Sequence, residues 1–186
     1  MRVIAGRGAA GISIMHGKAL WLVAALAASS FALSPRPASA RGDRVAVKAN
    51  YAPGTIVIRT KERRLYLMLG NGEAMRYPVG VGRRGMQWSG NVQVDGKYVE
   101  PAWAPPASIK RANPRLPNMI PGGSPHNPMG VAALTLSGGG QYAIHGTNQP
   151  NLVGGFVSHG CIRMYNADVR DLYGRVGVGT PVVVTR

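Results

Sequence analysis

Two histidines and the chain's only cysteine fall within residues 144–164, which read IHGTNQPNLVGGFVSHGCIRM. A thiol with an ordinary pKa of about 8.5 is only a few per cent thiolate at neutral pH, so a nucleophilic cysteine needs an adjacent base or cation. His145 and His159 are the candidates to activate Cys161. In a strand ending at His145, Tyr142 and Ile144 face one way while Ala143 and His145 face the other. The Gly-rich connection that follows is long enough to bring Cys161 back alongside. Gly160 leaves room beside the cysteine for backbone amides to approach a substrate, as an acyl-transfer enzyme needs in order to stabilise an oxyanion. The amides of His159, Gly160 and Cys161 are the candidates. Arg163 lies on the cysteine's side of an extended chain, where its planar fork suits a substrate carboxylate or, equally, supports the loop.

These residues have other readings. A single cysteine is often a small buried hydrophobe. A zinc site would have to draw on His126, His145, His159 and Cys161, and one thiolate with three imidazoles is an uncommon ligand set. No metal or other cofactor is expected.

The rest of the chain must export and position this cluster. Residues 1–40 carry a basic start (Arg2, Arg7, Lys18), an apolar stretch over 19–33 and the small-residue site Ala38-Ser39-Ala40, in the order of a signal peptide. The apolar stretch is shorter than the roughly 20 residues of a spanning helix, so cleavage before Arg41 is expected, with retention as a membrane anchor the alternative. An exported chain usually pairs its cysteines, and this one cannot pair its own, so the thiol is either buried and inert or kept for its reactivity. The net charge of the whole chain is +15. Four basic and no acidic residues precede Arg41, so the remainder stays strongly basic. Its charges form scattered pairs such as Arg63-Arg64 and Arg83-Arg84, without the interleaved aromatics that stack bases. No nucleic-acid partner is expected, and the basic surface suits an anionic envelope.

Residues 41–53 read as a short basic lead-in, and the domain proper as 54–186. Within it, β-rich runs over 55–59, 65–69 and 75–81 alternate with turn residues. Asp95-Gly96 suits a tight primed turn that would make 91–99 a second hairpin. Eight prolines between Pro101 and Pro128 predict a long ordered loop or flap. Strand signals return over 131–136, 141–144 and 181–185. One helix is expected, with Asn166 as N-cap, Asp168 in the first turn, Val169, Leu172, Tyr173 and Val176 on one face, and Gly177 ending it. The fold class predicted is mostly β, a sandwich or barrel with one short helix packed on it.

IHGTN followed by SHGCIRM, a helix and GTPVVV resembles the catalytic domain of L,D-transpeptidases of the YkuD (ErfK/YbiS/YcfS/YnhG) type. The resemblance extends upstream through NPMG at 127–130, the proline-rich segment 103–123 and RYPVGVGR at 76–83, covering nearly the whole chain after the signal peptide. It implies a mixed β fold and ping-pong acyl transfer on peptidoglycan stem peptides. Cys161 would be the nucleophile and His145 the general base and acid. Gly146 would help to hold the imidazole, His159 and Gly160 would complete the oxyanion hole through their amides, and Arg163 would bind substrate. The acceptor would be a stem amine giving 3→3 cross-links, with water or a lipoprotein lysine as alternatives. The motif gives His126 no role, so it is expected at the surface. The protein is expected to be periplasmic and monomeric, with no appended wall-binding module.

Overall fold

The sheet is built from short apolar runs that must bury both of their faces. A computed structural model of the chain describes residues 42–48, 50–138 and 142–186. The expected signal peptide, 1–40, and Gly139, Gly140 and Gln141 lie outside the described residues. The strands are β1 (Asp43–Ala46), β2 (Ile56–Arg59), β3 (Arg64–Gly70), β4 (Glu73–Pro78), β5 (Val81–Gly82), β6 (Gly90–Val99), β7 (Ala132–Leu136), β8 (Ala143–His145), β9 (Phe156–Ser158), β10 (Ile162–Arg163) and β11 (Pro181–Thr185), with helices α1 (Ala107–Ala112) and α2 (Asn166–Arg175). Nine strands join in the order β1-β4-β3-β2-β11-β6-β7-β8-β10, and β5 pairs separately with β9. Pairing is mostly antiparallel, with β2–β11, β8–β10 and β5–β9 parallel.

Alternation along β2 and β3 sends Ile56, Ile58, Leu65 and Leu67 into the main core, where they meet Leu134, Ile144, Ile162 and the α2 residues Val169 and Leu172. The other face sends Val57, Tyr66 and Met68 into a smaller cluster covered by Val45, Val47 and Val183. The lead-in read as 41–53 therefore contains an edge strand: β1 pairs antiparallel with β4, and Val45 within it and Val47 just after it close a second apolar layer. Each buried aliphatic side chain contributes on the order of 1.5–3 kcal/mol.

Further expectations are corrected. Asp95-Gly96 does not turn the chain; 90–99 is one continuous strand with a register shift between Val94 and Gly96. The first half of β6 pairs with β11 and the second with β7, so long-range partners on both edges outweigh the local turn preference. A side chain at Gly96 would collide with Thr135 Oγ1 at 2.7 Å and with the Tyr98 ring. Among the described residues there are also two α-helices where one was expected. The proline-rich segment holds α1, whose first turn follows Pro106, a position where the missing amide hydrogen is no loss.

Helix α2 begins at Asn166, and its N-cap is Tyr165, with no side-chain cap hydrogen bond. The asparagine expected to cap the helix is used elsewhere. At the other end, Lys97 Nζ donates to the carbonyls of Tyr173 (2.8 Å) and Val176 (2.6 Å), satisfying groups left open where the helix stops. Tyr77 Oη donates to Asp171 Oδ2 at 2.6 Å and ties α2 to β4.

Asp168, in the first turn of α2, is 1% exposed, and neither carboxylate oxygen has a hydrogen-bond partner. The helix dipole favours a negative charge there by at most about 1–2 kcal/mol. Burial outweighs it and, helped by the nearby charges of Asp171 and Asp43, pushes the carboxyl up to about 6. The folded state thus holds a proton that the unfolded chain, with a pKa of about 3.9, has released, so stability falls as pH rises through this window and stays lower above it. Asp168→Asn is expected to stabilise the protein by about 1–3 kcal/mol at pH 7.5 and by little at pH 4; denaturant titrations at the two pH values measure this, and an equal effect at both would contradict it.

Candidate active site

Parallel pairing of β10 on β8 sets Ile162 against Ile144 and Arg163 against His145. Both isoleucines enter the core, so alternation turns His145 and Arg163, with Ala143 and Cys161 one step away, to the opposite face. That face is the floor of a cavity of about 360 Å³ lined by His145, Ser158, His159, Cys161 and Arg163, walled by Arg83, Met86 and Tyr142, and bordered by Trp103, Ser108, Ile109, Ala112, Pro128 and Met129 from the segment carrying α1. The structure thus brings together four side chains singled out in the sequence: Cys161, His145, His159 and Arg163. His126 is exposed and not part of the lining. No group of three or more His, Cys, Asp or Glu side chains is placed to hold a metal among the described residues.

His145 is buried, and its Nδ1 lies 2.6 Å from the Gly146 carbonyl oxygen. A carbonyl only accepts, so Nδ1 carries the ring proton and Nε2 is the basic nitrogen. Burial drives the imidazole down to about 4, aided by the Arg163 charge and opposed by the carbonyls of Gly146 and Met129. The Cys161 thiol, partly buried and in no disulfide, is pushed up by burial, while a backbone hydrogen bond with Ala143 and the Arg163 charge pull it back. At neutral pH the pair is therefore an uncharged thiol beside an uncharged imidazole. A nucleophilic role for this thiol would need proton transfer during attack rather than a standing thiolate.

The turn that carries the thiol is held from three sides. Ser158 Oγ donates to the Cys161 carbonyl at 2.6 Å and accepts from the Gly160 amide at 3.0 Å. Trp88 Nε1 donates to the Gly160 carbonyl at 2.9 Å, and the Trp88 and Tyr142 rings stack 4.8 Å apart. Gly160 has φ +124, and a side chain there would strike the Tyr142 ring at 2.3 Å. The expectation for Gly160 changes accordingly: its amide already donates to Ser158 Oγ and reaches a substrate oxygen only if that bond is released. Tyr142 also differs from its strand-based reading, because it lies outside β8 and lines the cavity.

Arg163 is half-buried, and its Nε has no hydrogen-bond partner. Burial lowers its pKa, opposed by Cys161. With Arg83 it gives the cavity two cations, and no Asp or Glu is among the lining residues. The side chain of His159 is exposed, and burial, Arg83 and Arg163 all lower its pKa. Ser158, Trp88, Tyr142 and Met129 were not singled out from the sequence. Ser158 stood within the SHGC run, but an aromatic clamp drawn from positions 88 and 142 has no local signature.

Among the described residues no helix is long and apolar enough to cross a membrane. Residues 53–184 match the family model of the YkuD L,D-transpeptidase catalytic domain. The chain is 40% identical over 136 residues to the probable L,D-transpeptidase YbiS of Escherichia coli strain K12, covering 68% of this chain and 43% of that one. It is 39% identical over 136 residues to the probable L,D-transpeptidase ErfK/SrfK of Salmonella typhimurium, covering 69% and 43%. The chain thus spans less than half the length of these relatives. An L,D-transpeptidase from Mycobacterium smegmatis shares the fold with a TM-score of 0.56 at 17% identity, over 71% of this chain and 58% of that one. The catalytic domain from E. faecium L,D-transpeptidase acylated by ertapenem does so with a TM-score of 0.53 at 20% identity, over 70% and 95%. A match over residues 53–184 together with 40% identity to YbiS places this chain in the YkuD family of L,D-transpeptidase catalytic domains.

Proposed function

We propose that this protein is an exported L,D-transpeptidase in which Cys161 forms a thioester with a peptidoglycan stem tetrapeptide and passes it to an amine. The observation that carries the reading is His145, whose Nε2 is the basic nitrogen, set by the strand register opposite Arg163 and lining one cationic cavity with Cys161. The thiol attacks the carbonyl joining the third, diamino residue to the terminal D-Ala, and Nε2 takes the thiol proton as the C–S bond forms. The amides of His159 and Cys161, joined by that of Gly160 once it leaves Ser158 Oγ, receive the developing oxyanion. When it collapses, the C–N bond breaks and the imidazolium returns its proton to the departing D-Ala amine. An acceptor amine, deprotonated by the same imidazole, then attacks the thioester and releases the thiol. Arg163 and Arg83 attract the substrate carboxylates. Residues 1–40 act as the signal peptide, 54–186 as the catalytic domain, and the protein works as a periplasmic monomer on stem peptides. That E. faecium's catalytic domain is acylated by ertapenem supports acyl-enzyme formation on this fold.

Incubation of the purified chain with disaccharide tetrapeptide is expected to release D-Ala and yield cross-linked dimers, with one covalent adduct at Cys161 by intact mass. Cys161→Ala is expected to give neither. Free tripeptide as the sole product would make the acceptor water, and transfer only to a lysine-bearing lipoprotein would make it that amine. An absence of adduct and product from the wild type would reject the enzyme reading in favour of a wall-binding protein.

The pH dependence has a definite sign. His145 accepts a proton only when neutral, so acylation is lost as pH falls through about 4. A raised thiol pKa moves the alkaline limb beyond its ordinary position. The acylation rate by a carbapenem is therefore expected to be nearly flat between pH 5.5 and 8, measured by stopped-flow absorbance. A log-linear rise across that range, the signature of a rate set by the thiolate fraction alone, would contradict it.

A further inference from the structure

Helix α2 starts with an asparagine that does not cap it. Instead, Asn166 Oδ1 accepts from the Thr147 amide at 3.0 Å and, more weakly, from the Val131 amide at 3.4 Å. The Thr147 amide belongs to the same peptide unit as the Gly146 carbonyl, the group that receives the Nδ1 proton of His145 at 2.6 Å. In a trans peptide N–H and C=O point in opposite directions. A grip on the N–H by Asn166 therefore aims the C=O at the imidazole.

From this we infer that Asn166 is a positioning residue for the catalytic histidine, fixing its ring orientation and tautomer through the Gly146–Thr147 peptide. The inference rests on the reading of His145 as base. The contact is close enough to exclude side chains nearby: a Cβ at Gly146 would lie 2.2 Å from Asn166 Oδ1, and one at Gly130 2.3 Å. The donor bond at one end of the peptide also polarises it, making the carbonyl a better acceptor at the other. The bond from Nδ1 settles which ring nitrogen is left basic, so the start of α2 governs the chemistry at Cys161 through that peptide.

The direct test is the tautomer of His145 in the full chain, read from ¹⁵N chemical shifts of the imidazole, alongside the rate of Cys161 acylation by a carbapenem. In the wild type the Nδ1–H form is expected alone. Asn166→Ala is expected to mix the tautomers and slow acylation about ten- to a hundredfold, as loss of a group that orients a functional imidazole does. Alkylation by iodoacetamide at pH 10, where hydroxide rather than the imidazole can take the thiol proton, is expected to stay within about twofold of wild type. Asn166→Asp keeps the acceptor oxygen, so it is expected to restore the single tautomer and most of the rate, with the acid limb moved to higher pH by the added negative charge. If the alanine variant does not fold, the aspartate variant alone decides the matter through the tautomer and the direction of that shift. A single Nδ1–H tautomer with an unchanged rate in Asn166→Ala would overturn the inference. So would a slowed rate that the aspartate does not rescue. Both readouts can be judged without stem peptides, so failure here is distinguishable from failure of the proposed transpeptidation.

Discussion

The parallel pairing of β10 with β8 is the constraint on which the site depends. It is only two residues long, Ile162 on Ile144 and Arg163 on His145, yet it converts a sequence separation into a side-by-side arrangement. The two isoleucines anchor it from below, both fully buried in the main core. With those side chains committed inward, the strand period sends the histidine, the arginine and the thiol outward together. A slip of one residue would bury the histidine in hydrocarbon and turn the isoleucines to water, which is why a pairing this short holds its register. The Met164 amide donates to the His145 carbonyl at 2.8 Å and carries the ladder one step further.

The same arrangement decides the electrostatics. Burying His145 in the cavity floor strips it of most water, and an imidazole so placed is kept neutral by burial and by the arginine beside it. The buried polar ring is tolerated because Nδ1 donates to a carbonyl. Arg163 pulls in two directions: its charge lowers the thiol pKa and also disfavours an imidazolium. The outcome is a pair that stores no charge at rest, so the cationic cavity remains available to an anionic partner.

Much of this was legible in the sequence, and the rest was not for physical reasons. Cys161, His145 and Arg163 share one face because period-two alternation is local and needs only a correct strand assignment. The strands with β-branched runs, such as 56–59 and 181–185, carried the same local signal. Asp95-Gly96 misled because a turn-forming dipeptide also serves as a bulge, and the choice was made by β11 and β7, which are distant in sequence. Strand β1 was missed because Val45 and Val47 are two apolar residues in a charged stretch, and only the cluster of Tyr66, Met68 and Ala74 gives them something to cover. Asn166 looked like a helix cap because asparagine before an amphipathic run usually is one. Its true partners come from loops 19 and 35 residues away.

The glycines of the three short motifs follow from the same crowding. Gly146 in HGT leaves space for Asn166 Oδ1, Gly130 in NPMG for that oxygen and the Gly146–Thr147 peptide, and Gly160 in SHGC for the Tyr142 ring. Any side chain at the first two would displace the asparagine from the peptide whose carbonyl meets His145 Nδ1. A side chain at the third would push Tyr142 off Trp88 and loosen the turn bearing Cys161. A packed wall on either side of His145 and Cys161 is thus what these glycines permit, and the motif spacing records where those walls come closest to the backbone.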